Sequence, residues 1–96
     1  MSDKTSTPTK RISSAQLRAA RALLRWSALD LAKASKVGVA TIRRVEVVDG
    51  EIPVTLPNEA ALRRALEAAG VEFIDENGGG PGVRLRGRET AKKKVR

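Results

Sequence analysis

The sequence lacks several residue types on which common structural and catalytic sites depend. Its 96 residues include no cysteine and no histidine, and only 2% are aromatic. The absence of cysteine excludes a disulfide framework and agrees with a reducing compartment. Without cysteine and histidine, the chain also lacks the usual zinc ligands and the usual general base. We therefore expect no enzymatic activity, no metal and no cofactor.

Long hydrophobic runs are also absent. No apolar stretch approaches the roughly 20 residues that a membrane-spanning helix needs, and the N-terminus does not resemble a secretory signal. We therefore expect a cytoplasmic protein with no membrane partner. A chain of 96 residues is long enough for one domain. Because so small a core is marginally stable alone, we also expect self-association.

The net charge of +8 is distributed unevenly along the chain. Residues 12–45 carry seven basic side chains and one acidic side chain, whereas residues 46–86 carry four basic and eight acidic side chains. A molecule that is basic at one end and acidic at the other would orient itself against a polyanion. The alternative is that charges alternate by chance in a small soluble domain. The abrupt change of sign at Glu46 favours the first interpretation.

Both ends of the chain lack the apolar periodicity of packed elements. We predict a disordered N-terminal arm over residues 1–12, a folded domain over residues 13–86, and a disordered basic tail over residues 87–96. The run Lys92-Lys93-Lys94 in the tail either follows the phosphates of a nucleic acid or only keeps the protein soluble.

Apolar spacing and turn residues in the folded domain predict a mainly α fold class, with four helices followed by a two-strand β element. The predicted helices span about residues 14–25, 28–35, 39–47 and 59–69, and the predicted strands span 71–75 and 83–86. Residues able to cap the helices are, in chain order, Ser13 or Ser14, Ser27, Gly38 and Asn58. Residues 52–57, which include two prolines, are predicted to form an extended loop.

Several features have both a structural and a functional interpretation. Arg18, Arg21 and Arg25 form a stripe on the first helix that is either a solvated face or a nucleic-acid contact. Trp26 is predicted to fill the core at a helix corner, since a base-stacking tryptophan usually has aromatic neighbours. The glycine-rich stretch at 78–82 is predicted to be a flexible connector, because no Lys-Ser or Lys-Thr pair and no helix follow it. The adjacent Asp75 and Glu76 are expected to lie in a solvated turn rather than to bind a metal or act in catalysis.

Residues 27–46 are predicted to form two short helices joined by a tight turn. Ala32 is the small residue at which the helices would cross, and Arg43 and Arg44 would face outward from the second helix. This is the construction of a helix-turn-helix, whose second helix enters the major groove of DNA. The inward positions are Leu31, Val37, Ile42 and Val45.

The segments Leu29–Ala32 and Thr41–Glu46, together with Val37, resemble the Cro/C1-type (XRE) helix-turn-helix family of bacterial and phage regulators. The resemblance covers about residues 14–74. It implies a four-helix, lambda-repressor-like domain and a nucleoid-associated protein that binds a specific DNA sequence. The implied function is a transcriptional regulator, specifically a homodimeric repressor that reads a palindromic operator with the helix at 39–47.

The resemblance also implies which residues contact DNA. Bases would be contacted by Val39, Ala40, Arg43 and Arg44, since arginine suits guanine and small apolar side chains suit the thymine methyl. Backbone phosphates would be contacted by Ser27, Ala28, Lys36, Gly38 and Thr41. The chain departs from the family pattern at three of these positions. Ala28 replaces a frequent glutamine, Lys36 replaces a frequent turn glycine, and Gly38 replaces a frequent serine or threonine cap.

The acidic half of the chain is the predicted dimer surface, because the DNA-facing half must stay free. Its candidate contact residues are Leu62, Leu66, Val71, Phe73, Ile74, Val83 and Leu85. A second hypothesis is a protein-interaction module, such as an antitoxin or an anti-activator, whose main target is another protein. The loss of glutamine at position 28 favours this hypothesis, and the adjacent outward arginines argue against it.

Overall fold

Residues 11–86 are described by a computed structural model, and they form the mainly helical fold that the sequence predicts. The elements are α1 (Ser14–Leu24), α2 (Ala28–Ser35), α3 (Val39–Val45), α4 (Leu56–Ala68), β1 (Val71–Ile74) and β2 (Gly82–Leu85). The predicted arm and tail lie almost wholly outside these residues.

The first two helices begin with capping boxes. The Ser13 hydroxyl accepts a hydrogen bond from the Gln16 amide, and the Gln16 side chain accepts one from the Ser13 amide, both at 3.0 Å. Ser27 and Asp30 exchange the equivalent pair of bonds at the start of α2. Each box satisfies two backbone donors that a helix start would otherwise leave free. The bounds of α2 are those predicted from the sequence.

The structure corrects the predicted start of α4. Thr55, not Asn58, is the N-cap, and its hydroxyl accepts a hydrogen bond from the Asn58 amide at 3.2 Å. The helix begins at Leu56, so Pro57 lies in its first turn, where its missing N–H costs no helical hydrogen bond. The loop predicted from the prolines therefore extends about one helical turn too far.

The predicted end of α3 and the predicted limit of the N-terminal arm also differ from the structure. α3 ends at Val45, and Glu46 is its C-cap. Ile12, which the sequence predicts to lie in the arm, has no exposed surface. Its amide donates to the Glu59 carboxylate at 2.5 Å, and its carbonyl accepts a hydrogen bond from Ile52 at 3.1 Å. Ile12 is therefore part of the packed domain.

A single hydrophobic core is formed where the four helices and β1 meet. The Trp26 side chain is half-buried against this core, as expected for a residue at the corner between α1 and α2. β1 and β2 pair antiparallel within the chain, with Val71 opposite Leu85. The fully buried large side chains include Ile12, Leu17, Leu31, Ile42, Ile52, Leu62 and Leu66.

The β-ribbon packs on α1 and α4 and is joined to α1 by Gln16. The Gln16 side-chain amide donates to the carbonyls of Gly82 at 3.0 Å and Ile74 at 3.3 Å, at the turn end of the ribbon. A two-stranded ribbon is rarely stable alone, and the helices supply the surface on which this one packs.

Candidate nucleic-acid interface

α3 presents two chemically different faces. Ile42 and Val45 have no exposed surface and pack in the core. Ala40, Arg43 and Arg44 are exposed on the opposite side. Within residues 11–86, no hydrogen bond or ion pair engages the guanidinium group of either arginine. The helix therefore offers two available guanidinium groups beside a small apolar residue.

The C-terminal end of α3 is fastened to α1 through Glu46. The Glu46 carboxylate is buried and forms a two-pronged ion pair with Arg21, at 2.8 Å from Nε and 2.7 Å from Nη2. Hydrogen bonding to Glu46 raises the pKa of Arg21 above its ordinary value. The Glu46 carbonyl accepts bonds from Ser14 Oγ at 2.9 Å and Arg18 Nη1 at 2.6 Å. These contacts fix the orientation of the exposed face of α3.

This network bears on two features of the sequence. Arg18 and Arg21 are bonded to Glu46, so the stripe on α1 is not a row of free cations. Glu46 is buried and paired, so it does not begin an acidic surface even though the charge changes sign there. Sequence reasoning missed the pair because Arg21 and Glu46 are 25 positions apart. The sequence feature that could have indicated this pair is the single acidic residue, Glu46, directly after the apolar residues of α3.

The turn between α2 and α3 places a cation at the edge of the same surface. Lys36 is the C-cap of α2 and adopts a left-handed backbone conformation, with φ of 69°. Its side chain is exposed, while Val37 turns into the core as predicted. Glycine adopts this conformation without a steric cost because it has no Cβ. Lys36 adopts the same conformation although its Cβ makes it less favourable.

The start of α2 carries an exposed carboxylate, which is unfavourable for binding a phosphate. The Asp30 carboxylate accepts the Ser27 amide at 2.9 Å and is exposed beside it. Hydrogen bonding to the backbone N–H of Ser27, and then to its hydroxyl, lowers the pKa of Asp30 below its ordinary value. The Asp30 carboxylate therefore already occupies one backbone N–H group that a phosphate would otherwise use at the start of α2. The exposed Leu29 lies next to it.

The predicted contact residues fall into accessible and inaccessible groups. Val39 is half-buried against the core, and Thr41 is also half-buried. The Ala28 side chain is buried, so only its backbone could approach a phosphate. The predicted contact residues with exposed surfaces are Ser27, Lys36, Gly38, Ala40, Arg43 and Arg44.

The predicted dimer surface requires a correction. Leu62, Leu66 and Val71 have no exposed surface, because they pack inside the chain's own core. They cannot contact a second copy in this conformation. Phe73, with Arg63 lying 5.0 Å above its ring, is half-buried. Ile74 and Val83 are also half-buried, and Leu85 is 47% exposed.

The glycine-rich connector folds around one of its own carboxylates. Glu76 accepts hydrogen bonds from the amides of Gly78 at 3.3 Å and Gly80 at 3.1 Å. The loop amides therefore bind an internal acid. Across residues 11–86, no group of three or more acidic side chains is arranged to hold a metal ion.

Comparisons with known proteins add no assignment. No protein-family model matches this chain, and no curated protein matches it. Within the described part of the chain, every helix is too short or too polar to cross a membrane.

Proposed function

We propose that the protein is a sequence-specific DNA-binding regulator of the Cro/C1 type that inserts α3 into the major groove. The observation that carries the proposal is the exposed Arg43–Arg44 pair on a helix whose other face is anchored in the core. Arg44 would form bidentate hydrogen bonds with a guanine, and Ala40 would lie against a thymine methyl. Arg43 would contact a base or a phosphate.

The surroundings of α3 supply phosphate contacts in this proposal. Lys36 and the exposed backbone at Gly38 lie at the N-terminal side of α3 and are assigned to the phosphates. Ser27 and the backbone of Ala28 are weaker candidates, since Asp30 already accepts the Ser27 amide. These contacts would position the helix without reading sequence.

We also propose that the protein acts as a homodimeric repressor in the cytoplasm. Two-fold symmetry would place two copies of α3 in successive major grooves, about 10 base pairs apart. Within the described residues, the ribbon contains only β1 and β2. Leu85 is exposed, although it lies on the same face of the ribbon as the buried Val71. The rest of that face packs on α1 and α4, so a second copy would contact the ribbon at the end away from its turn and would cover Leu85 there.

Selection from a library of random DNA duplexes tests the proposal directly. We expect enrichment of a palindromic site and a linear fall of log affinity with log salt concentration. The matched variant is Arg44→Ala, which should relax the preference at one position of the site while keeping the fold. A library in which no sequence is enriched would contradict the proposal.

The start of α2 favours a second candidate, a protein-interaction module. Leu29 is 49% exposed and lies beside the Asp30 carboxylate, and this surface suits a protein partner better than a phosphate. If no duplex is enriched, Leu29→Lys should be tested for loss of binding to a co-purified protein. A DNA binder should retain its selected site in that variant.

A further inference from the structure

The hydrogen-bond pattern of the ribbon shows which backbone groups of β2 face β1. The Arg86 amide donates to the Gly70 carbonyl at 2.9 Å, which extends the register of the ribbon by one pair. At the turn end, one side-chain amide, that of Gln16, reaches the carbonyls of both Ile74 and Gly82. This agrees with two oxygens that point into the space between the strands. Gly82 and Arg86 therefore occupy hydrogen-bonded positions that face β1.

The backbone groups of Val83 and Leu85 lie on the opposite, outer edge of β2. Hydrogen-bonded positions alternate along an antiparallel pair, so the N–H and C=O groups of these two residues point away from β1. Within residues 11–86, none of these groups forms a hydrogen bond. An open strand edge of this kind is a template on which another strand can pair.

Apolar side chains line this edge on the side of α1. Leu85 is 47% exposed, although Val71, directly opposite on β1, has no exposed surface. Val83 is half-buried and lines a shallow groove together with Ala15 and Ala19, which are exposed on α1. A strand added to β2 would therefore cover apolar surface as well as satisfy the edge.

The other face of β2 carries charges that a second copy can match. Arg84 donates to the two carboxylate oxygens of Glu72 at 3.0 Å from Nε and 3.3 Å from Nη2. If two copies of β2 paired antiparallel with Arg84 at the two-fold axis, the row across this face would be Glu72, Arg84, Arg84, Glu72. Like charges directly opposite one another are destabilising, but here each arginine already has its own carboxylate. In the same register, Val83 of each copy lies opposite Leu85 of the other, so the apolar side chains also match.

We propose that two copies of the chain dimerise by antiparallel pairing of their β2 edges, centred on Arg84, to form one continuous sheet. This inference rests on the homodimer in the proposed function and names the surface that forms it. The pairing would satisfy the outward N–H and C=O groups of Val83 and Leu85 in both copies. A register centred on Val83 would instead place Leu85 opposite Pro81, which has no N–H to donate.

Single cysteines test this register, because the chain contains no cysteine of its own. At the proposed axis, the two copies of residue 84 form a non-hydrogen-bonded pair with Cα atoms about 4.5 Å apart, which a disulfide can span. Arg84→Cys should therefore form a disulfide-linked dimer in a buffer of oxidised and reduced glutathione. The matched control is Arg86→Cys, since Arg86 is also exposed and lies two positions along the same chain. Its two copies would be about 13 Å apart, beyond the reach of a disulfide.

Non-reducing electrophoresis measures the linked fraction, and thermal unfolding confirms that both variants fold. We expect most of Arg84→Cys to become the linked dimer and most of Arg86→Cys to remain unlinked. If the wild type sediments as a dimer but the two variants link equally, the inference is overturned while the homodimer stands. A wild type that sediments only as a monomer overturns both, and selection from the DNA library tests base recognition separately.

Hydrogen exchange of the wild-type protein gives a second measurement that needs no substitution. The amides of Val83 and Leu85 should exchange more slowly at concentrations where the protein sediments as a dimer than at concentrations where it is a monomer, because pairing removes them from water. Equal exchange of these two amides in the dimer and the monomer would overturn the proposed pairing.

Discussion

Arg44 and Lys36 are both exposed cations on the proposed DNA surface, yet we expect them to act differently. Arg44→Ala removes a base contact and should cost about 1–3 kcal/mol while relaxing preference at one position of the site. Lys36→Ala removes a phosphate contact and should weaken binding to all sequences alike, with a shallower salt dependence. Titrations of specific and scrambled duplexes at several salt concentrations measure both effects. An Arg44→Ala protein with full affinity and selectivity would exclude its base-reading role.

The left-handed backbone at Lys36 makes a second substitution there informative. A side chain in this conformation costs roughly 1–2 kcal/mol, a cost from which glycine is exempt. With φ at 69°, Lys36→Gly should therefore raise the free energy of unfolding by about 1 kcal/mol while weakening DNA binding as Lys36→Ala does. Denaturant unfolding and DNA titration of the same protein check these opposite changes. A loss of stability in Lys36→Gly would mean that the lysine side chain stabilises the turn.

Asp30 should make stability depend on pH in the acid range. Its hydrogen bonds with Ser27 lower its pKa in the folded state, whereas the unfolded value is about 3.9. The stabilisation is therefore complete above the unfolded pKa and is lost as pH falls through the folded value. Asp30→Asn should flatten the fall in melting temperature below about pH 5. Asp49→Asn, which removes an exposed carboxylate that no described residue bonds, is the control.

At the scale of elements, the contact between α1 and α3 depends on the pair Arg21–Glu46. Glu46 is buried, whereas Arg21 is half-buried and keeps its hydrogen bond to the Trp26 carbonyl, so Glu46→Gln should cost about 1–3 kcal/mol of unfolding free energy. Replacing both residues with apolar ones, as in Arg21→Met with Glu46→Leu, should recover much of that loss. Glu72→Gln disrupts the exposed pair with Arg84 and should have a much smaller effect. Equal losses for the single and double variants would show that the pair is not a coupled unit.

At the scale of the whole molecule, the acidic half of the chain contains both core residues and surface residues. Leu62 has no exposed surface, so Leu62→Ala should cost about 2–5 kcal/mol of stability. Leu85 is 47% exposed, so Leu85→Lys should leave the fold intact and shift a dimer toward monomer. Sedimentation and denaturant unfolding of both variants distinguish the two roles. A wild type that sediments as a monomer at every concentration would contradict the proposed dimer.

Local sequence rules determined most of the elements. Ser27 and Asp30 predicted the start of α2, and the spacing of Leu31, Val37, Ile42 and Val45 predicted which sides of α2 and α3 are buried. These features depend on residues within about one helical turn or one short turn, so they can be identified along the chain. The same rules misplaced the start of α4, because a proline is compatible both with a loop and with the first turn of a helix.

Packing between distant elements decided the rest. The sequence by itself could not show that Glu46 accepts Arg21, that Glu59 holds the Ile12 amide, or that Leu62 is buried in the chain's own core. Each of these depends on which helices meet in space, and an apolar stripe looks the same whether its own chain or a second copy covers it. Spacing determined that α3 has an exposed basic face, whereas the tertiary structure decided which cations remain available there. The physical reason is that helix and cap hydrogen bonds are local, while burial and ion pairing depend on residues far apart in the chain.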